Sequence, residues 1–241
     1  MDGGQKKVVL ITGAARRIGA ALARYLASQS LVVAVHYRRS AREAERLEAE
    51  IVRSGGTCRL YAADLTDEQR CRNLIQSVYR DLERLDFLVN NAAVFEADRL
   101  ERVDIQRARW QVWINAWVPL VLMQEFAAVA GRGAVVNLLD SRLQWYDPEH
   151  FSYSTSKRLL AEFTRLAALT FAPRVRVNAV APGAVLPPRT TSQGYVPAGD
   201  IPLGRRPRPE EIARAVHFLL VEPSITGQVL FVDGGQHLHG G

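Results

Sequence analysis

Tyr153, Lys157 and Asp140 are the side chains of this sequence best suited to moving a proton. Tyr153 and Lys157 stand four apart within residues 140–157 (DSRLQWYDPEHFSYSTSK), and the apolar pattern Leu159, Leu160, Phe163 and Leu166 behind them predicts a helix. That spacing puts both side chains on one helix face. An ammonium beside a phenol stabilises the phenolate and draws the Tyr pKa toward the working pH. Such a Tyr can exchange a proton beside a carbon that accepts hydride. Asp140 ends the apolar run 134–139, so a strand there delivers its carboxyl to the same pocket. Tyr-x-x-x-Lys is a common spacing, and its meaning rests on the elements around it.

Those elements begin with a strand at 8–11, the turn Thr12-Gly13-Ala14-Ala15-Arg16-Arg17-Ile18-Gly19, a helix over 20–28 and a strand over 31–35. This βαβ start predicts a right-handed parallel crossover. Small residues in its turn let backbone N–H groups approach a pyrophosphate at the helix N-terminus, a dinucleotide site. The second strand runs into His36-Tyr37-Arg38-Arg39-Ser40. An NAD site places an acid there for the ribose 2′-OH; Arg38, Arg39 and Ser40 instead offer donors to a 2′-phosphate, which points to NADP(H).

The rest of the chain alternates in the same way. Strands are expected at 57–62, 87–89, 134–139, 175–180 and 229–232, and helices at 41–54, 67–82, within 102–130, from Tyr153 to about 171, and at 209–220. The expected fold is an α/β Rossmann-type doubly wound parallel sheet of about seven strands, helices on both faces, ligand at the strands' carboxyl ends. Trp110, Trp113 and Trp117 fall on one face of the 102–130 helix, suited to packing on the sheet or to a subunit interface. Residues 182–209 hold seven of the eleven prolines and read as a substrate loop. No linker composition divides the 241 residues, so one domain over 1–241 is expected. The net charge of +6 and pI of about 9.7 come from Arg mixed with Glu and Asp on helix surfaces, rather than from a basic block that would grip nucleic acid. The apolar run near the N-terminus is too short to cross a membrane. Cys58 and Cys71 lack metal-ligand spacing and read as reduced thiols, which with the rest indicates a cytoplasmic protein. His237 and His239 have no third ligand, so no metal is expected.

Taken together, Thr12-Gly13…Gly19, Asp64-Leu65, Asn90-Asn91-Ala92, Asn115, Tyr153-x-x-x-Lys157, Asn178 with Pro182-Gly183, and Thr226-Gly227 with Asp233-Gly234-Gly235 resemble the short-chain dehydrogenase/reductase family over nearly the whole chain. The resemblance implies a nicotinamide cofactor. Gly13, Arg16, Arg17, Ile18, Gly19 and the His36–Ser40 run would surround its phosphates. Asp64 and Leu65 would lie near the adenine, Asn90, Ala92, Pro182 and Gly183 along the cofactor, and Tyr153 and Lys157 at the nicotinamide ribose. Asn115 would join a water-linked proton relay. It also implies dimers or tetramers, here a homotetramer, built on the helices of Trp113 and Tyr153.

Two departures narrow the resemblance. Arg17 stands where the family usually has Gly, and Asp140 where its catalytic Ser stands. Both, with His36-Tyr37-x-Arg39-Ser40 and Phe95, look like the pteridine reductases within the family, as does Asp233-Gly234-Gly235-Gln236-His237-Leu238. Ala93 departs from the Ser of the parasite members. Reduction of a pterin C=N bond forms no alkoxide, so the Ser is not needed. Asp140 and Tyr153 are then a proton-delivery pair, with Asp140 holding its proton through burial. Phe95 stacks on the flat ring, and Arg17 touches cofactor phosphate and ligand. Leu143, Trp145, Tyr146, Leu186 and Tyr195 are further pocket walls. The resulting expectation is an NADPH-dependent reductase of a dihydropteridine or dihydrofolate. An oxoacyl-thioester or small-carbonyl reductase is the rival, and an NADP(H) sensor without turnover is disfavoured by the intact Tyr153/Lys157 pair.

Overall fold

Apolar β-branched runs such as Val8-Val9-Leu10-Ile11 leave no polar face, so they are stable only when buried on both sides. The computed structural model, which describes residues 5–186 and 201–239, meets that need with one parallel sheet of seven strands in the order β3-β2-β1-β4-β5-β6-β7. The strands are β1 (Val8–Ile11), β2 (Val32–Tyr37), β3 (Thr57–Ala62), β4 (Phe87–Asn90), β5 (Gly133–Leu138), β6 (Val175–Pro182) and β7 (Val229–Val232). The helices are α1 (Arg17–Ser28), α2 (Ala41–Arg53), α3 (Glu68–Leu82), α4 (Ile105–Val112), α5 (Val118–Val129), α6 (Phe151–Phe171) and α7 (Pro209–Val221). The expected strands and helices are present, with shifts of a few residues at their ends. The largest is at α1, which begins at Arg17 rather than at residue 20.

Alternate side chains of the strands supply two cores. On one face Leu22 and Leu26 of α1, Leu47 and Ile51 of α2, and Ile212, Val216 and Leu219 of α7 pack on Val9, Ile11, Val33 and Val136. On the other, Leu74 and Ile75 of α3, Leu122 and Phe126 of α5, and Ala167 of α6 pack on Leu10, Leu88, Val135 and Val177. The helix covering the second face is not one continuous α-helix. Residues Trp113–Trp117 form a π-helical turn between α4 and α5, which rotates the downstream residues out of the α register. The three tryptophans therefore do not share one face. Trp110 and Trp113 pack against the core, while Trp117 is exposed and leans on Phe163 of α6. The whole stretch Ile105–Val129 is long and apolar enough to span a membrane, but half of its most apolar window is buried in the fold.

The position of α6 matters most for function, since it carries Tyr153 and Lys157. A buried polar chain ties it to the sheet. Asn90 Nδ2 donates to Asn137 Oδ1 at 2.8 Å, Asn137 Nδ2 donates to Thr164 Oγ1 at 2.9 Å, and the Thr164 hydroxyl donates to Leu160 O at 2.8 Å. All three side chains are buried. Replacing Thr164 by Val leaves the Asn137 amide without that acceptor, so Thr164→Val is expected to lower unfolding free energy in urea by about 1–3 kcal/mol, more than the ±0.5 kcal/mol or so of a surface change.

Candidate active site

The carboxyl ends of β1, β4, β5 and β6 open on the edge where the strand order reverses, between β1 and β4. In an open α/β sheet this is where ligands bind. The glycine turn lies here and is stitched to β4 by side chains. Thr12 Oγ1 accepts from Asn91 N (2.9 Å) and Ala92 N (3.0 Å), and Asn91 Nδ2 donates to Thr12 O (2.8 Å) and Gly13 O (3.1 Å). Gly13 has φ +62°, and a Cβ there would sit 3.0 Å from Ala92 Cα. A Cβ on Gly19 would come within 2.6 Å of Gly13 O. Asn91, a determinant of the turn, was not identified from the sequence beyond its place in the Asn-Asn-Ala motif.

His36 lies under the turn rather than in it. Its Nδ1 accepts from Gly13 N at 3.1 Å and its Nε2 faces Ala63 O at 3.1 Å. A carbonyl only accepts, so the ring is the neutral Nε2–H tautomer. Burial pushes the imidazole pKa down to about 4, against smaller opposing effects of Ala63 O and Asp64. Both ring nitrogens are engaged within the protein, so the His36 side chain positions the turn. Tyr37 is half-buried, Arg39 exposed, and Arg38 lies 3.7 Å from Asp64. Asp64 itself accepts from Thr66 N and Thr66 Oγ1. Leu65 is buried, with its carbonyl accepting from Trp113 Nε1. Arg16 pairs with Glu43 of α2 at 2.7 Å, at the same corner as Ser40. Arg17 has φ +55°, a left-handed backbone that costs a non-glycine residue about 1–2 kcal/mol. Its guanidinium reaches across the edge to Leu186 O at 3.5 Å. Pro182 and Gly183 close the far side, with Gly183 N donating to Val232 O.

Tyr153, Asp140 and Lys157 meet as expected. The Tyr153 hydroxyl donates to Asp140 Oδ2 at 2.9 Å, and Lys157 Nζ donates to Leu138 O at 2.7 Å. The charge balance differs from the expected one. Lys157 Nζ is 5.7 Å from the Tyr153 ring centroid, whereas the Asp140 carboxylate touches the hydroxyl. Burial, and after it Asp140, push the Tyr153 pKa well above that of a free phenol, so the phenol is held protonated rather than poised to ionise. Burial pulls the Lys157 ammonium down to about 8, with Asp140 acting the other way. Asp140 is also not an isolated buried acid. Arg142 NH1 lies 3.1 Å from its Oδ2, and Arg142 N donates to its Oδ1.

Arg142 extends the site to residues the sequence did not reveal. Its Nε lies 3.0 Å from Asp147 Oδ2, which also meets His150 Nδ1 at 2.9 Å. The His150 ring stacks on Phe95 with centroids 4.2 Å apart, and Phe95 meets Tyr153 edge-on at 4.6 Å. The only sequence signal for this network is the polar spacing Asp140-x-Arg142 and Asp147-x-x-His150. Asn115, in the π-helical turn, is fully buried. It accepts from Val94 N and donates to Val94 O and Ser156 Oγ, so its side chain holds the β4 loop to α6. Leu143 and Leu186 pack on the core, Tyr146 lies exposed under Arg158, and Tyr195 is outside the described residues.

His36 makes the turn sensitive to acid. Between pH 6.5 and about 4 the unfolded chain binds a proton there that the folded protein does not, so stability falls as pH drops through this window. The expected loss is about 3 kcal/mol. Urea unfolding of wild type and His36→Asn from pH 7 to 4 checks it: the wild-type curve should fall more steeply, whereas parallel curves would mean that His36 charges freely.

Similarity to known proteins agrees with this geometry. The family profile described as enoyl-(acyl carrier protein) reductase matches residues 13–237. A putative ketoacyl reductase 2 of granaticin polyketide synthase from Streptomyces violaceoruber is 34% identical, covering 98% of both chains. A 3-oxoacyl-[acyl-carrier-protein] reductase from Synechocystis sp. is 33% identical over 95% of this chain and 96% of its own. Among solved structures, FolM alternative dihydrofolate reductase 1 from Brucella suis, crystallised with NADP, superposes with a TM-score of 0.86 at 37% identity, covering 96% of this chain and 95% of that one. With the sheet order, the glycine turn and the Tyr153/Lys157 pair in place, this chain belongs to the short-chain dehydrogenase/reductase family of oxidoreductases.

Proposed function

We propose that the protein is an NADPH-dependent pteridine reductase, which reduces a C=N bond of a dihydropteridine or dihydrofolate to give the tetrahydro form. The observation that carries this reading is the hydrogen bond from Tyr153 to Asp140. A carbonyl reductase needs a neutral donor beside its Tyr to steady a developing alkoxide, and a carboxylate there would repel it. Reduction of C=N develops charge on nitrogen, which a proton removes. The name and the NADP complex of the Brucella FolM structure support the reading.

The described residues suit such a cofactor. The N-terminus of α1 has no side-chain cap at Arg16 and no acid in its first turn, so its dipole favours a pyrophosphate there. Arg38, Arg39 and Ser40 would take the 2′-phosphate, Arg16 and Arg17 the edge of the turn, and Lys157 the nicotinamide ribose. When bound, NADPH supplies the hydride that goes to the ring carbon. Tyr153, protonated in the free site, gives its proton to the ring nitrogen; its hydroxyl has one proton, so the substrate nitrogen must replace Asp140 as its acceptor. Asp140, fixed by Arg142, then faces the phenol as it regains a proton from solvent. Asn115 keeps the Val94 backbone and α6 in register throughout.

An oxoacyl-thioester reductase is the second reading, favoured by the names of the Streptomyces and Synechocystis relatives. NADPH oxidation with 7,8-dihydrobiopterin, dihydromonapterin, dihydrofolate and an acetoacetyl thioester separates the two. Turnover of dihydropteridines is expected, with Tyr153→Phe and Asp140→Ser each lowering kcat by about 10²–10⁴-fold. Turnover of the thioester alone would reject the pteridine reading.

We also propose a homotetramer, placed in the cytoplasm, where the buried free thiols of Cys58 and Cys71 would stay reduced. Leu166 and Leu169 on α6 are 60% and 79% exposed, and Trp117 lies beside the same helix through Phe163. Side chains of this kind in a patch mark an interface. Leu169→Arg is expected to reduce the mass seen by light scattering to that of a dimer or monomer; an unchanged mass would place the interface elsewhere.

A further inference from the structure

Phe95 is 46% exposed, open enough to receive a ligand. A phenyl ring that exposed ordinarily changes rotamer within picoseconds to nanoseconds. Here it is hemmed in. His150 stacks on it at 4.2 Å with ring planes 16° apart, Tyr153 meets it edge-on at 4.6 Å, and the Arg142 guanidinium lies over it at 5.2 Å. His150 is itself fixed, through Nδ1 to Asp147 Oδ2 at 2.9 Å. Asp147 is held in turn by Arg142 Nε and by Glu149 N.

The backbone fixes the same pair. Asp98 N donates to Glu149 O at 2.9 Å and Phe151 N to Asp98 O at 3.2 Å. Asp98 Oδ1 accepts from Ser152 N at the first turn of α6, and Arg99 forms an ion pair with Glu149. The loop carrying Phe95 is thereby clipped to the loop carrying His150, and both are clipped to the helix of Tyr153.

We propose that His150 is a positioning residue that fixes Phe95 as the platform for a flat fused ring, and so sets the affinity for that ring. This rests on the pteridine reading above. The imidazole does not serve as a proton donor to the reaction. Its path to Asp140 runs through Arg142, and a guanidinium does not pass protons on. What the ring supplies is an aromatic layer against one face of Phe95, which holds the phenyl ring in a fixed orientation for a flat substrate.

The test is steady-state kinetics with NADPH and 7,8-dihydrofolate on wild type, His150→Gln, His150→Leu and His150→Phe, with thermal melting as a fold control. Gln and Leu lose the aromatic layer and Phe keeps it, and Leu and Phe both lose the bond to Asp147. A stacked aromatic contact is worth a factor of about two to ten in a binding constant. KM for dihydrofolate should rise about five- to tenfold in the Gln and Leu variants and return to within about twofold of wild type in the Phe variant. kcat and the KM for NADPH should stay near wild type. If Gln does not fold, the Leu and Phe variants alone decide. An unchanged KM in Gln or Leu, a loss confined to kcat, or a Phe variant as poor as Leu would overturn the role of His150. A wild type that turns over only a thioester would instead overturn the substrate reading, and with it the selection of flat rings.

Discussion

The parallel pairing of β1 with β4 is the constraint on which the rest of the molecule depends. Parallel strands cannot be joined by tight hairpins, so each crossover must return over a face of the sheet. All carboxyl ends therefore gather on one edge. At the β1/β4 boundary the crossovers leave in opposite directions, and an opening results. Side chains hold that opening to a definite width. The Thr12 hydroxyl and the Asn91 amide join the glycine turn to the end of β4, and His36 supports the turn from β2. This tightness accounts for the glycines. Gly13 and Gly19 are needed where backbone meets backbone, whereas Arg17 adopts a left-handed conformation without being a glycine.

Across the opening, charges are arranged so that one proton is held in place. Tyr153 and Lys157 are nearly inaccessible to solvent, and burial acts on both by disfavouring their charged forms. Asp140 acts on both in addition, disfavouring the phenolate and favouring the ammonium. The tyrosine is consequently held in its protonated form. Arg142 joins Asp140 to Asp147, and Asp147 joins His150, so the acid beside the tyrosine belongs to a network that also reaches the ring stacked on Phe95.

Buried polar groups away from the reacting edge serve mainly to locate it. Asn90, Asn137 and Thr164 hydrogen-bond in sequence from the sheet to α6, and Asn115 joins α6 to the β4 loop. The π-helical turn at Trp113–Trp117 is what brings Asn115 inward while Trp117 turns outward. Apolar packing alone would allow α6 to slide by a fraction of a turn. Hydrogen bonds between buried groups do not, because each displaced donor or acceptor would be left unsatisfied.

The sheet, the order of its elements and the central pair were legible in the sequence alone. Apolar runs separated by amphipathic stretches have few ways to be buried, and a spacing of four on a helix needs no tertiary information to place Tyr153 beside Lys157. The glycine turn and the basic end of β2 could be read for the same local reason. Tertiary structure settled what each polar side chain meets. His36 lies in a run that reads as cofactor-binding, yet burial commits both its nitrogens to Gly13 and Ala63. Asp140 reads as a lone acid, yet Arg142 and Asp147 share its network. The tyrosine's pKa rises rather than falls, first because burial disfavours the phenolate and then because the Asp140 carboxyl is in contact with the hydroxyl. Electrostatic and hydrogen-bond partners are set by distances of a few ångströms between segments far apart in the chain, and these distances exist only once the sheet has brought its edges together.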